Sequence, residues 1–130
     1  LIIHGPNMNL LGYKTMDLNQ KLTLEKLNKA IRSLAREKHI NLSIFQSHCE
    51  SKTVTHIQRN KNKIDHIIIS PGPWSFNAFI IKDILEIIKK PFSIILDTKS
   101  KTIFDSLIDE NQIFISKNYL DAYLECINSI

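Results

Sequence analysis
The chain has 130 residues, 43% of them hydrophobic and 23% charged, the balance of one globular domain large enough to bury its own core. Its net charge of +4 is dispersed. The densest basic run, Arg59-Asn60-Lys61-Asn62-Lys63, reads as a polar turn, so neither nucleic acid nor a charged membrane surface is an expected partner. No apolar stretch approaches the roughly 20 residues that cross a bilayer, and Cys49 and Cys126 show neither CxxC nor Cys/His metal spacing. Two lone cysteines fit a reducing compartment, which predicts a cytoplasmic location. Leu1 lies inside an apolar run, so further residues are expected before it, and a targeting segment there stays open.

In chain order, Leu1-Ile2-Ile3 ends at Gly5-Pro6 and reads as a buried strand. Thr23 is an N-cap for a helix whose Leu24, Leu27, Ala30, Ile31, Leu34 and Ala35 fall on one face. Residues 41–46 alternate polar and apolar, as a strand does, and a weaker helix covers 51–60. Asp65 to Ile69 is a β-branched strand closed by Ser70-Pro71-Gly72-Pro73. Phe76 to Lys89 repeats apolar residues at helical spacing. Phe92 to Leu96 and Ile113 to Ile115 are further strands, and Tyr119 to Ile127 is a final helix.

Strand alternating with helix predicts one domain over 1–130, built on a parallel sheet covered on both faces. Five strands in this length suggest a flavodoxin-like, three-layer, doubly wound α/β fold. Ligands of such sheets bind beyond the carboxyl ends of the strands. That points to residues 4–23, 47–51, 70–78 and 97–100.

Those segments carry a family resemblance. Gly5-Pro6-Asn7-Met8-Asn9-Leu10-Leu11-Gly12 is similar to the Gly-Pro-Asn-Leu-Asn-Leu-Leu-Gly of type II 3-dehydroquinate dehydratases. Thr23-Leu24, Phe45-Gln46-Ser47 with Glu50, Ile67 to Gly72 and Lys82-Asp83 match further family motifs, in order, over roughly residues 1–98. The chain is thus identified as a divergent member of that family. The resemblance implies a lyase of the shikimate pathway that converts 3-dehydroquinate to 3-dehydroshikimate through an enolate, without metal or organic cofactor. It also implies a homo-oligomer, a trimer or dodecamer, binding a small cyclic carboxylic acid.

Carrying the family's roles over by position gives an unusual set. The lid Arg is Lys14 and the proton-abstracting lid Tyr is Asn19; the enolate-steadying Asn is Ser70 and the general-acid His is Leu96. Among substrate-binding positions, Asn7 and Asp83 are retained, a His is replaced by Phe76, and the carboxylate loop holds Asp97 and Thr98. A tyrosine base needs its pKa of about 10 lowered by a neighbouring cation, which makes Tyr13, beside Lys14, a candidate substitute base. His4, at the end of the first strand, is a candidate acid, against the commoner role of a hydrogen-bonded strand-end histidine. The remaining groups also have ordinary readings: Asn7 as a turn cap, Asp83 as a partner of Lys82 or of backbone groups, Cys49 as a small buried residue. Trp74 and Phe76 make the Pro71–Ala78 loop more apolar than the family's, suited to facing a partner subunit or filling the cavity. Two functional readings follow: a divergent dehydratase, and a catalytically inactive homologue acting as a structural or binding protein.

Overall fold
The computed structural model describes residues 1–16 and 21–130. Five parallel strands, β1 (Ile2–His4), β2 (Ile44–Gln46), β3 (Ile67–Ser70), β4 (Phe92–Leu96) and β5 (Ile113–Ile115), lie in the order β2-β1-β3-β4-β5. This is the doubly wound order expected, and the chain reverses its direction of travel between β1 and β3, which places a crevice beyond their carboxyl ends.

The helices are α1 (Leu11–Lys14), α2 (Leu24–Glu37), α3 (Glu50–Asn60), α4 (Trp74–Asn77), α5 (Phe79–Ile88) and α6 (Leu120–Asn128). One core cluster packs α2, α6 and the segment after β1 against Ile2, Ile68 and Ile95; the other packs α3 and α5 against Ile3, Ile67, Ile69 and Ile94. Successive strand residues point to opposite faces, so odd and even positions sort into the two layers. The cap read for α2 is present: the Thr23 side chain accepts from the Lys26 N–H.

Three expectations need correction. The stretch from Phe76 to Lys89 is two helices rather than one, because Ala78 (φ −80°, ψ 61°) leaves helical geometry between them. Residues 41–43 lie outside β2, whose three residues are set by pairing to the equally short β1. The segment after β1, where the sequence placed no helix before Thr23, is a 3-10 turn over Met8–Leu10 followed by α1. It is held because Met8 and Leu11 are buried in the α2/α6 layer.

Candidate functional site
His4 and Ser70 are register partners at the ends of β1 and β3. Their shared parity turns both side chains toward α6, where the Tyr123 hydroxyl bonds to Ser70 Oγ and, at 2.9 Å, to His4 Nδ1. His4 Nε2 lies 2.8 Å from Asn28 Oδ1 on α2. A buried polar chain thus joins β3, α6, β1 and α2.

Its polarity follows from valence. Asn28 Oδ1 only accepts, so His4 Nε2 carries the ring proton. A neutral ring then accepts at Nδ1, so Tyr123 donates to His4, and Ser70 donates to Tyr123. Burial pushes the His4 pKa down to about 4, with the Asn28 bond opposing and the Arg32 charge adding, so the ring is neutral near pH 7. Burial also raises the Tyr123 phenol well above its ordinary range, and it stays protonated. Ser70 therefore spends its proton inside the chain. His4, placed among candidate acids, is fully buried with both ring nitrogens engaged.

The lid segment is anchored at Thr15. Its buried hydroxyl lies 3.0 Å from Leu11 O and 2.8 Å from Leu22 O, and accepts the Leu22 N–H at 2.8 Å. Lys14 Nζ stands 5.8 Å from the Tyr119 ring centroid, so this cation faces Tyr119. Tyr13 instead points outward, 74% exposed. Tyr119 is buried with a left-handed backbone (φ 70°), a costly conformation outside glycine and one that concentrates at functional sites. Burial first, and the Asp97 charge second, raise its phenol to about 12. Beside it a groove of about 500 Å³ is lined by Lys21, Leu22, Lys26, Asn118 and Leu120. Asn118 Oδ1 accepts from Leu120 N–H at 3.2 Å and from the Ser116 hydroxyl at 3.2 Å, leaving its amide N–H groups to other partners. Two ammonium groups and this amide form a wall of donors suited to an oxyanion.

The other positions lie apart. Asn7 has a positive φ of 66° and no side-chain cap; its backbone N–H donates to His48 Nδ1 at 3.0 Å. Leu96 is buried in the α3/α5 layer, the face opposite Ser70 and His4. Asp97 and Thr98 are exposed beyond β4, and Phe76 and Asp83 are exposed on α4 and α5. Trp74, assigned to a partner or the cavity, is buried in the α3/α5 core. Cys49 is half-buried at the N-cap of α3 rather than fully buried, and the Ser51 hydroxyl and the Lys52 amide hold its thiol below the ordinary range. Asn19 lies outside the described residues. Among those described, no three His, Cys, Asp or Glu side chains converge to hold a metal ion, and no helix is long and apolar enough to cross a membrane.

Sequence reading did not single out Tyr119 and Tyr123. A partial signal was present: the four-residue spacing sets one tyrosine at the N-cap of α6 and the other one turn inside it. What it lacked was the knowledge that the Tyr123 side of α6 looks onto the ends of β1 and β3.

Comparison with known proteins agrees with this architecture. The crystal structure of type II dehydroquinase from Butyrivibrio crossotus superposes with a TM-score of 0.86 at 22% identity, covering 98% of this chain and 93% of the other. That of type II dehydroquinase from Propionibacterium acnes gives 0.83 at 17%, covering 98% and 92%. A 3-dehydroquinate dehydratase of Polynucleobacter asymbioticus is 37% identical over 94 residues, 72% of this chain and 63% of that protein. One of Endomicrobium trichonymphae is 37% identical over 91 residues, 70% and 64%. The matched region thus spans less than two-thirds of the length of these curated relatives. The family model described as dehydroquinase class II matches residues 1–96, and the chain belongs to that family.

Proposed function
We propose that the chain is a slow lyase of the dehydroquinase type, eliminating water from 3-dehydroquinate or a closely related small cyclic carboxylic acid. The observation that carries this reading is the convergence on Tyr119 of lid Lys14, the Asp97 loop and the donor-lined groove of Lys21, Lys26 and Asn118, at the edge where doubly wound sheets bind ligands. The cations neutralise the carboxylate, and the protonated Tyr119 phenol is a hydrogen-bond donor beside them.

Transferred by position, the family's base, enolate donor and acid are Asn19, Ser70 and Leu96, none of which moves a proton near pH 7. A missing acid or base typically costs about 10²–10⁴-fold in rate, so turnover is slow. The test is ultraviolet absorbance of the enone product at high protein concentration. A slow increase, weakened in Lys14→Ala and partly restored by Asn19→Tyr, is expected. No increase at any concentration overturns the reading.

The alternative reading is a catalytically silent homologue retained for binding or assembly. Tyr123 closes over Ser70 and His4, and Leu96 faces the opposite layer. Binding of quinate without turnover is its signature. Under either reading we propose a homo-oligomer, its contact made by the exposed apolar stripe of α4 and α5.

A further inference from the structure
On the outer side of α3, Lys52, Thr55, His56 and Arg59 follow the helical spacing that stacks side chains on one face. With Phe45 and Ser51 they line a groove of about 330 Å³ beside the edge strand β2. Its wall holds two cations and two hydroxyls and no carboxylate. The His56 ring is stacked on Phe45, with centroids 4.1 Å apart and planes 14° from parallel, which sets the plane of the imidazole. Its Nε2 is buried and has no hydrogen-bond partner among the described residues. A buried polar atom without a partner is costly and marks a place that a bound group can satisfy. Burial, reinforced by the Arg59 charge, holds the His56 pKa below its ordinary value, so the ring is neutral with one N–H to give.

We propose that this groove binds a small phosphate-bearing ligand, with Arg59 and Lys52 neutralising the oxyanion, Ser51 and Thr55 donating hydroxyl hydrogen bonds, and His56 Nε2 turning to meet it. The planar guanidinium fork matches phosphate geometry, and the volume suits a compact ligand at the lower end of known small-molecule sites. The site shares no lining residue with the groove beside Tyr119 and does not depend on the lyase reading.

The test titrates inorganic phosphate into the full chain at constant ionic strength while following histidine ring resonances. The His56 signals are expected to move saturably, while those of His66, bonded to Ser93 on the other side of the sheet centre, stay in place. Lys52→Ala with Arg59→Ala weakens binding roughly tenfold or more, since two charge-assisted contacts go; Lys29→Ala with Arg36→Ala, two exposed cations of α2, leaves it unchanged. Circular dichroism checks that the double variant folds, and Arg59→Gln, which keeps the side-chain length, serves in its place if it does not. A shift that never saturates, or one that survives loss of both cations, overturns the proposal. Citrate provides a parallel arm: tighter binding of citrate than of phosphate overturns the phosphate assignment.

Discussion
Tyr123 serves two buried acceptor–donor partners with one hydroxyl, so its removal strands both. In Tyr123→Phe the ring still fills its place in the α2/α6 layer, but Ser70 and His4 Nδ1 lose their partner. Leaving buried polar groups unpaired costs about 1–3 kcal/mol, so the urea midpoint falls with an unchanged m-value. The same chain sets a pH dependence. The His4 pKa of about 4 in the folded protein lies below the 6.5 of an unfolded histidine, so the unfolded chain binds the proton more tightly. The stabilisation is whole above pH 6.5 and is lost as pH falls from 6.5 through 4, for a total of about 3 kcal/mol. His56 and His66, also lowered by burial, act in the same direction, so the measurement is a difference. His4→Asn should lose less stability than the parent chain between these pH values. Equal slopes for the two proteins would remove His4 as a contributor. Gly5 sets a harder limit. A Cβ there would sit 2.5 Å from the Ser70 carbonyl oxygen and 3.0 Å from that of Pro71, both backbone atoms that cannot swing aside. Gly5→Ala therefore forces β1 and β3 apart where Gly5 N–H donates to Ser70 O at 2.9 Å.

At the scale of elements, periodicity carries information about faces, and short local geometry does not. β1 and β3 were readable as continuous apolar runs because both of their faces are buried, and α2 from its helical period because it buries one face against a large apolar layer. The break at Ala78 was not, since apolar spacing continues across it: Phe76, Phe79 and Ile80 keep a helical rhythm whether or not the backbone does. The candidate site divides in the same way. The segment Gly5 to Gly12 and Lys14 were visible in the sequence because their order is distinctive. The bond from Ser70 to Tyr123 joins residues 53 apart, and that from His4 to Tyr123 residues 119 apart, so nothing local announces them. The end of α5 yields a prediction at this scale. Lys89 caps it in the left-handed region, at φ 54° and ψ 30°, where a side chain is strained and glycine is not. Lys89→Gly relieves roughly 1 kcal/mol of that strain, less the added freedom of the unfolded chain. A raised thermal midpoint is the expected result, and a lowered one would show that the Lys89 side chain makes contacts worth more than the strain.

For the whole molecule, the informative surface is the one left uncovered. Phe76, Phe79, Ile80 and Ile87 are between 51% and 65% exposed, along one side of α4 and α5. Together they offer roughly 400 Å² of apolar area, about half of what each partner buries in a standard interface. Isolated exposed apolar residues are ordinary; four on one stripe point to a contact. Asp83 lies on the same stripe, four residues from both Phe79 and Ile87. A two-fold dimer with its axis near the stripe's centre would set one Asp83 against its copy, and like charges in a desolvated interface are repelled. A closed ring with head-to-tail contacts meets no such penalty, because each Asp83 faces a different residue of its neighbour. Sedimentation equilibrium should therefore find a cyclic assembly of more than two copies, and Phe79→Glu with Ile87→Glu should reduce it to monomers that keep the parent circular dichroism. A symmetric dimer would contradict the charge argument. A parent chain that stays monomeric at high concentration would contradict the stripe as a self-contact altogether.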